Sequence, residues 1–301
     1  MYDRNPGGRG HLCAWGSFED LLRDRLRRVG LSVEDYVLSK VDHLVLNGVS
    51  MRVRNLVVVD KPRMLEDLLP ARRVVKREVR QFKPQRNEVL VNATSQPFGE
   101  CHKIATTQQR AVLRGLEPNT IYVNIHPKFI GYGWAFPLSD DGRDWHLGAG
   151  CSNGDPAVLA ELFKRRYRLE EVSRLCVCGR EIRVVNPEEA VLVRDGVVSI
   201  GEAAGAVEPI AAEGMLSSID SAELLYDSLS EEDYASSYEA GMRGMLSGIR
   251  TAYGLWRLMH RHHRWAWLRG YRYTVTRSYK SVKPELTTMT KLRLLKEILF
   301  G

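Results

Sequence analysis

The residues best suited to chemistry lie in one stretch, Val197-Val198-Ser199-Ile200-Gly201-Glu202-Ala203-Ala204-Gly205-Ala206-Val207-Glu208-Pro209-Ile210-Ala211-Ala212-Glu213-Gly214-Met215. An apolar run ends at Gly201 and an acid, Glu202. A loop of small residues passes through Pro209, and a helix is predicted to start just after Gly214. Such a segment suits a ligand lying across a strand end and onto a helix N-terminus. The Glu202 carboxylate can accept hydrogen bonds from sugar-like hydroxyls, and small residues let the ligand approach the backbone. The N–H groups near Gly214 and Met215, together with the helix dipole, can stabilise an electron-rich ring edge.

A second stretch is Tyr132-Gly133-Trp134-Ala135-Phe136-Pro137. Strand alternation puts Tyr132, Trp134 and Phe136 on one face, either as part of the core or as the wall of an apolar cavity. Cys13-Ala14-Trp15-Gly16 offers a thiol beside a glycine. No cysteine or histidine spacing matches a zinc site, so no metal is expected. His260, His262 and His263 sit in a basic run and read as a solvated face. Neither a Walker A pattern nor G-x-S-x-G occurs.

The elements that must position these residues follow from the apolar pattern. Strands are predicted over 41–46, 51–59, 74–79, 88–91, 120–125, 132–137, 145–150, 191–193 and 197–200. The 132–137 and 145–150 strands pair across the turn Asp140-Asp141-Gly142. Ser17 is expected to cap a helix carrying Leu21, Leu22 and Leu26, and Asp155 to cap a helix over 156–167. Helices are also expected over 63–69 and 215–229, with mostly helical chain from Tyr234 onward.

The 301 residues are 44% hydrophobic and 27% charged, which is globular composition. No apolar run approaches a membrane span, and the N-terminus lacks a signal-peptide core. Five scattered cysteines point to a reducing compartment. The net charge of +7 is uneven: residues 240–301 carry 13 lysines and arginines against Glu285 and Glu297, a net +11, which leaves −4 on residues 1–239. Trp256, Trp265, Trp267, Tyr271 and Tyr273 interleave with these cations. Such a tail suits a solvated helix pair or an anionic membrane surface, with nucleic acid the least favoured partner.

The segment from Gly201 to Met215 resembles the second FAD-binding motif of the geranylgeranyl reductase family, flavoproteins related to the aromatic hydroxylases. The family reads Gly-Asp-Ala-Ala-Gly, a proline and then Gly-x-Gly. Here the acid is Glu202 and the first later glycine is Ala212. Tyr132 to Pro137, followed by Gly148, resembles the family's Tyr-x-Trp-x-Phe-Pro motif; flavin-dependent halogenases carry a comparable stretch. Cys13 to Gly16 is similar to the family's Cys–Gly segment.

The resemblance implies a mixed α/β fold: a truncated FAD-binding Rossmann-like domain, an antiparallel-sheet substrate domain and a basic helical C-terminal region. By that mapping the FAD-binding part is 1–70 with 185–235, the substrate sheet is mainly 71–184 with a return near 88–95, and the basic region is 236–301. The sequence has no G-x-G-x-x-G, and the likeness begins where the family's second strand ends, so the first βα unit is expected to be missing. The implied cofactor is FAD, held by Asp3, Gly16, Gly201, Glu202, Pro209, Gly214 and Met215. Tyr132, Trp134 and Phe136 wall the isoprenoid cavity, and Cys13 sits near the reacting bond. The implied reaction reduces carbon–carbon double bonds in prenyl lipids or prenyl diphosphates. Its electron donor is NAD(P)H or a ferredoxin-like protein, and its setting is the cytoplasm, with peripheral contact at the inner membrane surface. The alternatives are a flavin-free relative that binds prenyl lipid or a membrane surface, and another flavin reaction on the same fold.

Overall fold

The computed structural model describes residues 2–3, 14–68, 75–76, 88–126, 128–261 and 287–300. Cys13, the glycines from Gly7 to Gly10, most of the predicted 74–79 strand and the tail over 262–286 lie outside them. The strands in chain order are β1 (Tyr2–Asp3), β2 (Gly16–Phe18), β3 (Val37–Lys40), β4 (His43–Leu46), β5 (Val49–Arg52), β6 (Leu56–Val59), β7 (Val75–Lys76), β8 (Leu90–Asn92), β9 (His102–Arg114), β10 (Thr120–Ile125), β11 (Gly131–Pro137), β12 (Asp144–Cys151), β13 (Glu170–Val184), β14 (Val193–Arg194) and β15 (Val197–Ser199). The helices are α1 (Glu19–Arg28), α2 (Lys61–Leu68), α3 (Pro156–Tyr167), α4 (Met215–Ser228), α5 (Tyr234–Arg261) and α6 (Thr288–Phe300). The expected mixed α/β class, with antiparallel sheets, is what the chain adopts.

The chain divides into two compact units. One comprises Met1–Val79, Ala105–Arg180 and Val275–Gly301; the other comprises Arg80–Ile104 and Glu181–Thr274. The first unit is organised by a seven-stranded sheet in the order β13-β9-β12-β11-β10-β4-β5. β11 and β12 form the expected antiparallel pair, Trp134 opposite Gly148 and Phe136 opposite His146. β4 joins β10 in parallel and turns into β5 through Asn47-Gly48, both at positive φ, as a two-residue hairpin requires.

α3 covers one face of this sheet. Asp155 caps it by accepting the Ala157 N–H at 2.8 Å, and Pro156 fits the first turn. Leu159 and Phe163 are fully buried beneath it, each contributing on the order of 2 kcal/mol of apolar burial. A smaller sheet, β2-β6-β3, packs Val58 and Trp15 into a second cluster with Val41, Val53, Ile121 and Leu138.

The second unit is built on β14-β15-β8 and the helix pair α4 and α5. Its core joins Val185, Leu192, Val198, Leu225, Tyr238, Met242, Leu246 and Ile249. The buried residues of α5 follow helical spacing from Tyr238 to Met259, so its other face stays exposed. Tyr238 is fully buried and donates its hydroxyl to the Ser199 carbonyl at 2.5 Å; burial holds the phenol above its ordinary pKa. Arg243 donates to the Ala190 carbonyl at 3.0 Å. Both bonds pin the chain around β15, the strand that leads into the small-residue segment.

Two expectations change on the structure. Ser17 lies in β2 and caps nothing. Helix α1 starts two residues later, where Asn55 receives the Asp20 N–H on its side chain and the Glu19 N–H on its carbonyl. A distant residue thus does the work expected of a local cap. The single strand over 51–59 is two strands, because Asn55 adopts a left-handed conformation (φ 65°) and Val53 turns to bond Asp42.

Candidate functional site

The expected site residues fall into two groups, one in each unit. In the first unit, Tyr132, Trp134 and Phe136 do share one face of β11, and all three are half-buried. Gly133 and Ala135 point the other way and are buried under Phe163 of α3. The aromatic face is therefore opposite the helix-packed face. Along it the roles divide. Phe136 packs onto the cluster that holds Trp15 and Val58. The rings of Tyr132 and Trp134 meet each other at 5.7 Å.

Trp134 is held from two sides. Its indole Nε1–H donates to the Gln108 side chain on β9 at 3.3 Å. Its ring lies across Gly148, where a Cβ would come within 2.7 Å of Cζ2. Gly148 is needed for this close approach, not for an unusual backbone angle. Gln108 is a site residue the sequence reading missed. Its signal is a pair of adjacent buried amides, Gln108 and Gln109, inside a strand.

Gly16 meets the same face at its far end. A Cβ on Gly16 would lie 2.5 Å from Cε1 of Phe136, so the glycine makes room for that ring. Before it, Trp15 is buried at φ 63°, a left-handed conformation that costs a bulky residue on the order of 1–3 kcal/mol. Its ring stands edge-on to the buried His146 at 4.3 Å. His146 lies across from Phe136 in β12, so Trp15, His146 and Phe136 gather at one end of the aromatic row. Asp3 lies in β1, opposite Lys76 of β7 in a parallel pair.

In the second unit, Gly201 to Ala204 form a 3₁₀ turn closed by Gly205. Gly201 (φ 59°) and Gly205 (φ 78°) are both left-handed. The Gly201 N–H donates to Ser221 Oγ at 2.8 Å, and Ser218 Oγ sits 3.0 Å from where a Gly201 Cβ would stand. The turn thus rests on the serine face of α4. One oxygen of the Glu202 carboxylate accepts the Arg183 backbone N–H at 2.7 Å.

Pro209 follows as part of a loop closed by a bridge from Glu208 N–H to the Glu213 carbonyl, 2.8 Å. Glu208, almost fully buried, accepts the Ala211 N–H at 2.5 Å. Ala212, which stands where the resembled motif has glycine, keeps the left-handed backbone of a glycine (φ 51°). Helix α4 then starts at Met215 with Gly214 as its cap, and no side chain caps it. The helix dipole favours negative charge at that end.

Among the described residues no cluster of histidine, cysteine and acids is arranged to hold a metal ion. No helix among them is long and apolar enough to cross a membrane.

No protein-family model matches the chain, and no curated protein does. Solved structures do. The chain is similar to a geranylgeranyl bacteriochlorophyll reductase-like protein from Thermoplasma acidophilum: TM-score 0.62, 14% identity, 83% of this chain and 76% of that one. It is similar to HpxO from Klebsiella pneumoniae, solved with FAD and uric acid: TM-score 0.56, 12% identity, 80% of this chain and 78% of that one. It is also similar to the flavin-dependent brominase Bmp2: TM-score 0.59, 15% identity, 100% of this chain and 87% of that one. The fold is the one that these proteins share, two of them flavin proteins by name or bound FAD.

Proposed function

We propose that the chain is an FAD-dependent oxidoreductase that reduces carbon–carbon double bonds in prenyl chains of lipids or prenyl diphosphates. The observation that carries this reading is the aromatic face of β11, where half-buried Tyr132, Trp134 and Phe136 lie opposite the face that α3 covers. A ring-lined surface holds a hydrocarbon chain by contact area and needs no polar group from it. The likeness to a reductase-like structure supports the reading.

The second region is the candidate FAD site of its unit. The left-handed turn at Gly201 and Gly205 is buried against Ser218 and Val185, and beyond it α4 opens at Gly214 without a capping side chain. Within this unit Gly214 and Met215 would donate to the flavin ring, with Gly201, Glu202 and Pro209 beside them; Asp3 and Gly16 are the candidate flavin contacts of the first unit. When bound and reduced, FAD supplies a hydride for one alkene carbon. Cys13 is the candidate proton source for the other. Tyr132, Trp134 and Phe136 keep the chain in register and exclude water, which an unactivated alkene requires. The electrons come from NAD(P)H or a ferredoxin-like donor. The basic aromatic tail is the candidate contact with an anionic membrane surface.

A second reading is a flavin-free relative that binds prenyl lipid. The Glu202 oxygen given over to the Arg183 N–H favours it, because that oxygen already has a protein donor. The visible absorption spectrum of the 301-residue chain, expressed with added FAD, separates the two. A flavin spectrum that survives desalting supports the oxidoreductase, and saturation of a prenyl chain is then assayed with reduced flavin. A colourless protein that takes up no added FAD overturns it. Flavin binding with halogenation or hydroxylation, and no alkene reduction, overturns the prenyl part alone.

A further inference from the structure

The two edges of the seven-stranded sheet are unlike. One edge, β5, has four residues, and α6 packs against it. The other, β13, runs for 15 residues without a proline, and no described strand pairs with its outer side. Long open edges are normally blunted by charge, proline or a covering element, because their free N–H and C=O groups recruit further strands. Here the edge carries exposed Val172, Leu175 and Val177, each about half accessible at 49%, 55% and 57%.

We propose that β13 pairs antiparallel with β13 of a second copy of this chain, around a two-fold axis at Leu175. The charge pattern selects this register. With Leu175 opposite itself, Glu170 stands opposite Arg180 of the second copy, and the same pair recurs across the axis. Val172 then faces Cys178 and the two Leu175 side chains meet at the axis, while Val177 faces the small Ser173. Shifting the axis to Val177 would set Arg174 against Arg180 twice, a like-charge arrangement that opposes pairing. Glu170 is well exposed, at 67% of its side chain, and its contact with Arg114 is a loose 3.7 Å. A two-fold pairing of this kind joins the two seven-stranded sheets into one continuous sheet and covers Glu170 to Arg180 of this edge in each copy.

The test is the oligomeric state of the full chain by sedimentation velocity. A dimer at micromolar concentration is expected. Leu175→Lys should return it to monomer with an unchanged far-ultraviolet circular dichroism spectrum. Glu170→Lys should weaken the dimer about tenfold at low salt, and less at high salt. A second variant fixes the register independently of stability. Leu175→Cys, made with Cys176→Ser and Cys178→Ser, should form an intermolecular disulfide on mild oxidation. A native chain that sediments as a monomer overturns the proposal. A dimer that survives Leu175→Lys and does not cross-link through Leu175→Cys also overturns it.

Discussion

The aromatic hairpin and the small-residue turn both depend on glycine, but for different physical reasons. In the hairpin, Gly148 exists for its neighbour: the Trp134 ring and the Thr107 carbonyl occupy the space of a side chain, at 2.7 and 2.6 Å. In the turn, Gly205 exists for its own backbone, at φ 78°. The first is a packing constraint and the second is a conformational one. Packing constraints are shared among several residues, so they can be relieved only by moving a ring or a strand. Conformational constraints are local, and one residue can bear the strain, as Ala212 does.

Gly148→Ala tests the packing side and should have the largest effect. The clash includes a backbone carbonyl, so the loss of stability should be about 3 kcal/mol by urea denaturation, with Trp134 fluorescence perturbed. A loss below about 1 kcal/mol would show that the hairpin gives way easily and would break the contrast.

Gly205→Ala tests the turn. The left-handed backbone and the Val185 Cβ at 2.9 Å from the new methyl together predict a loss of about 2 kcal/mol. Flavin uptake should fall with it if the turn is the cofactor site.

Glu171 supplies a pH-dependent probe of the first unit alone. Hydrogen bonds from Arg174, and then from Gln109 and Lys164, hold its carboxyl at about 2, below its ordinary 4.5. The carboxylate is the stabilising form, so its contribution is present above the ordinary value and disappears as pH falls toward 2. Glu171→Gln should therefore cost about 1 kcal/mol at pH 7 in thermal melts, and the difference from the native chain should shrink in acid. A difference independent of pH would mean that the shape of the side chain matters and its charge does not.

Ala212→Gly should have the smallest effect and the opposite sign. Relief of the left-handed alanine should stabilise the chain by about 0.5–1 kcal/mol, less the extra entropy glycine has when unfolded. A destabilisation would mean that the Ala212 methyl packs usefully and that the turn, too, is governed by packing.

Much of the site-bearing scaffold is legible in the sequence because local signals agree there. β10 and α3 have the predicted limits, and the β11–β12 pair follows from alternation and the Asp140-Asp141-Gly142 turn. The long strands β9 and β13 were not predicted. Their interiors carry Thr106, Thr107, Gln108 and Gln109, or Glu171, Ser173 and Arg174, so alternation is weak, and the sheet as a whole decides their conformation. The β4–β5 hairpin was missed although Asn47-Gly48 announces it. At the site, alternation correctly set the three aromatics on one face. It could not tell which face α3 would cover, because Gly133 and Ala135 are too small to look like a core. The Gln108 and Arg183 contacts span 26 and 19 residues of sequence, so no local pattern names their partners, even where the Gln108-Gln109 pair marks one end.

The placement of α6 bears on how the protein is made. Leu294 is fully buried, and Glu297 reaches Arg166 at 2.8 Å across a sequence separation of 131 residues. The first unit is also interrupted by the whole of the second, since its segments lie before residue 80, between 105 and 180 and after 275. On the ribosome, β5 and α3 emerge long before the helix that completes their unit. The second unit has its full set of strands and helices sooner. Synthesis therefore favours an order in which the unit bearing the glycine turn closes first, while the aromatic hairpin waits with one edge of its sheet uncovered.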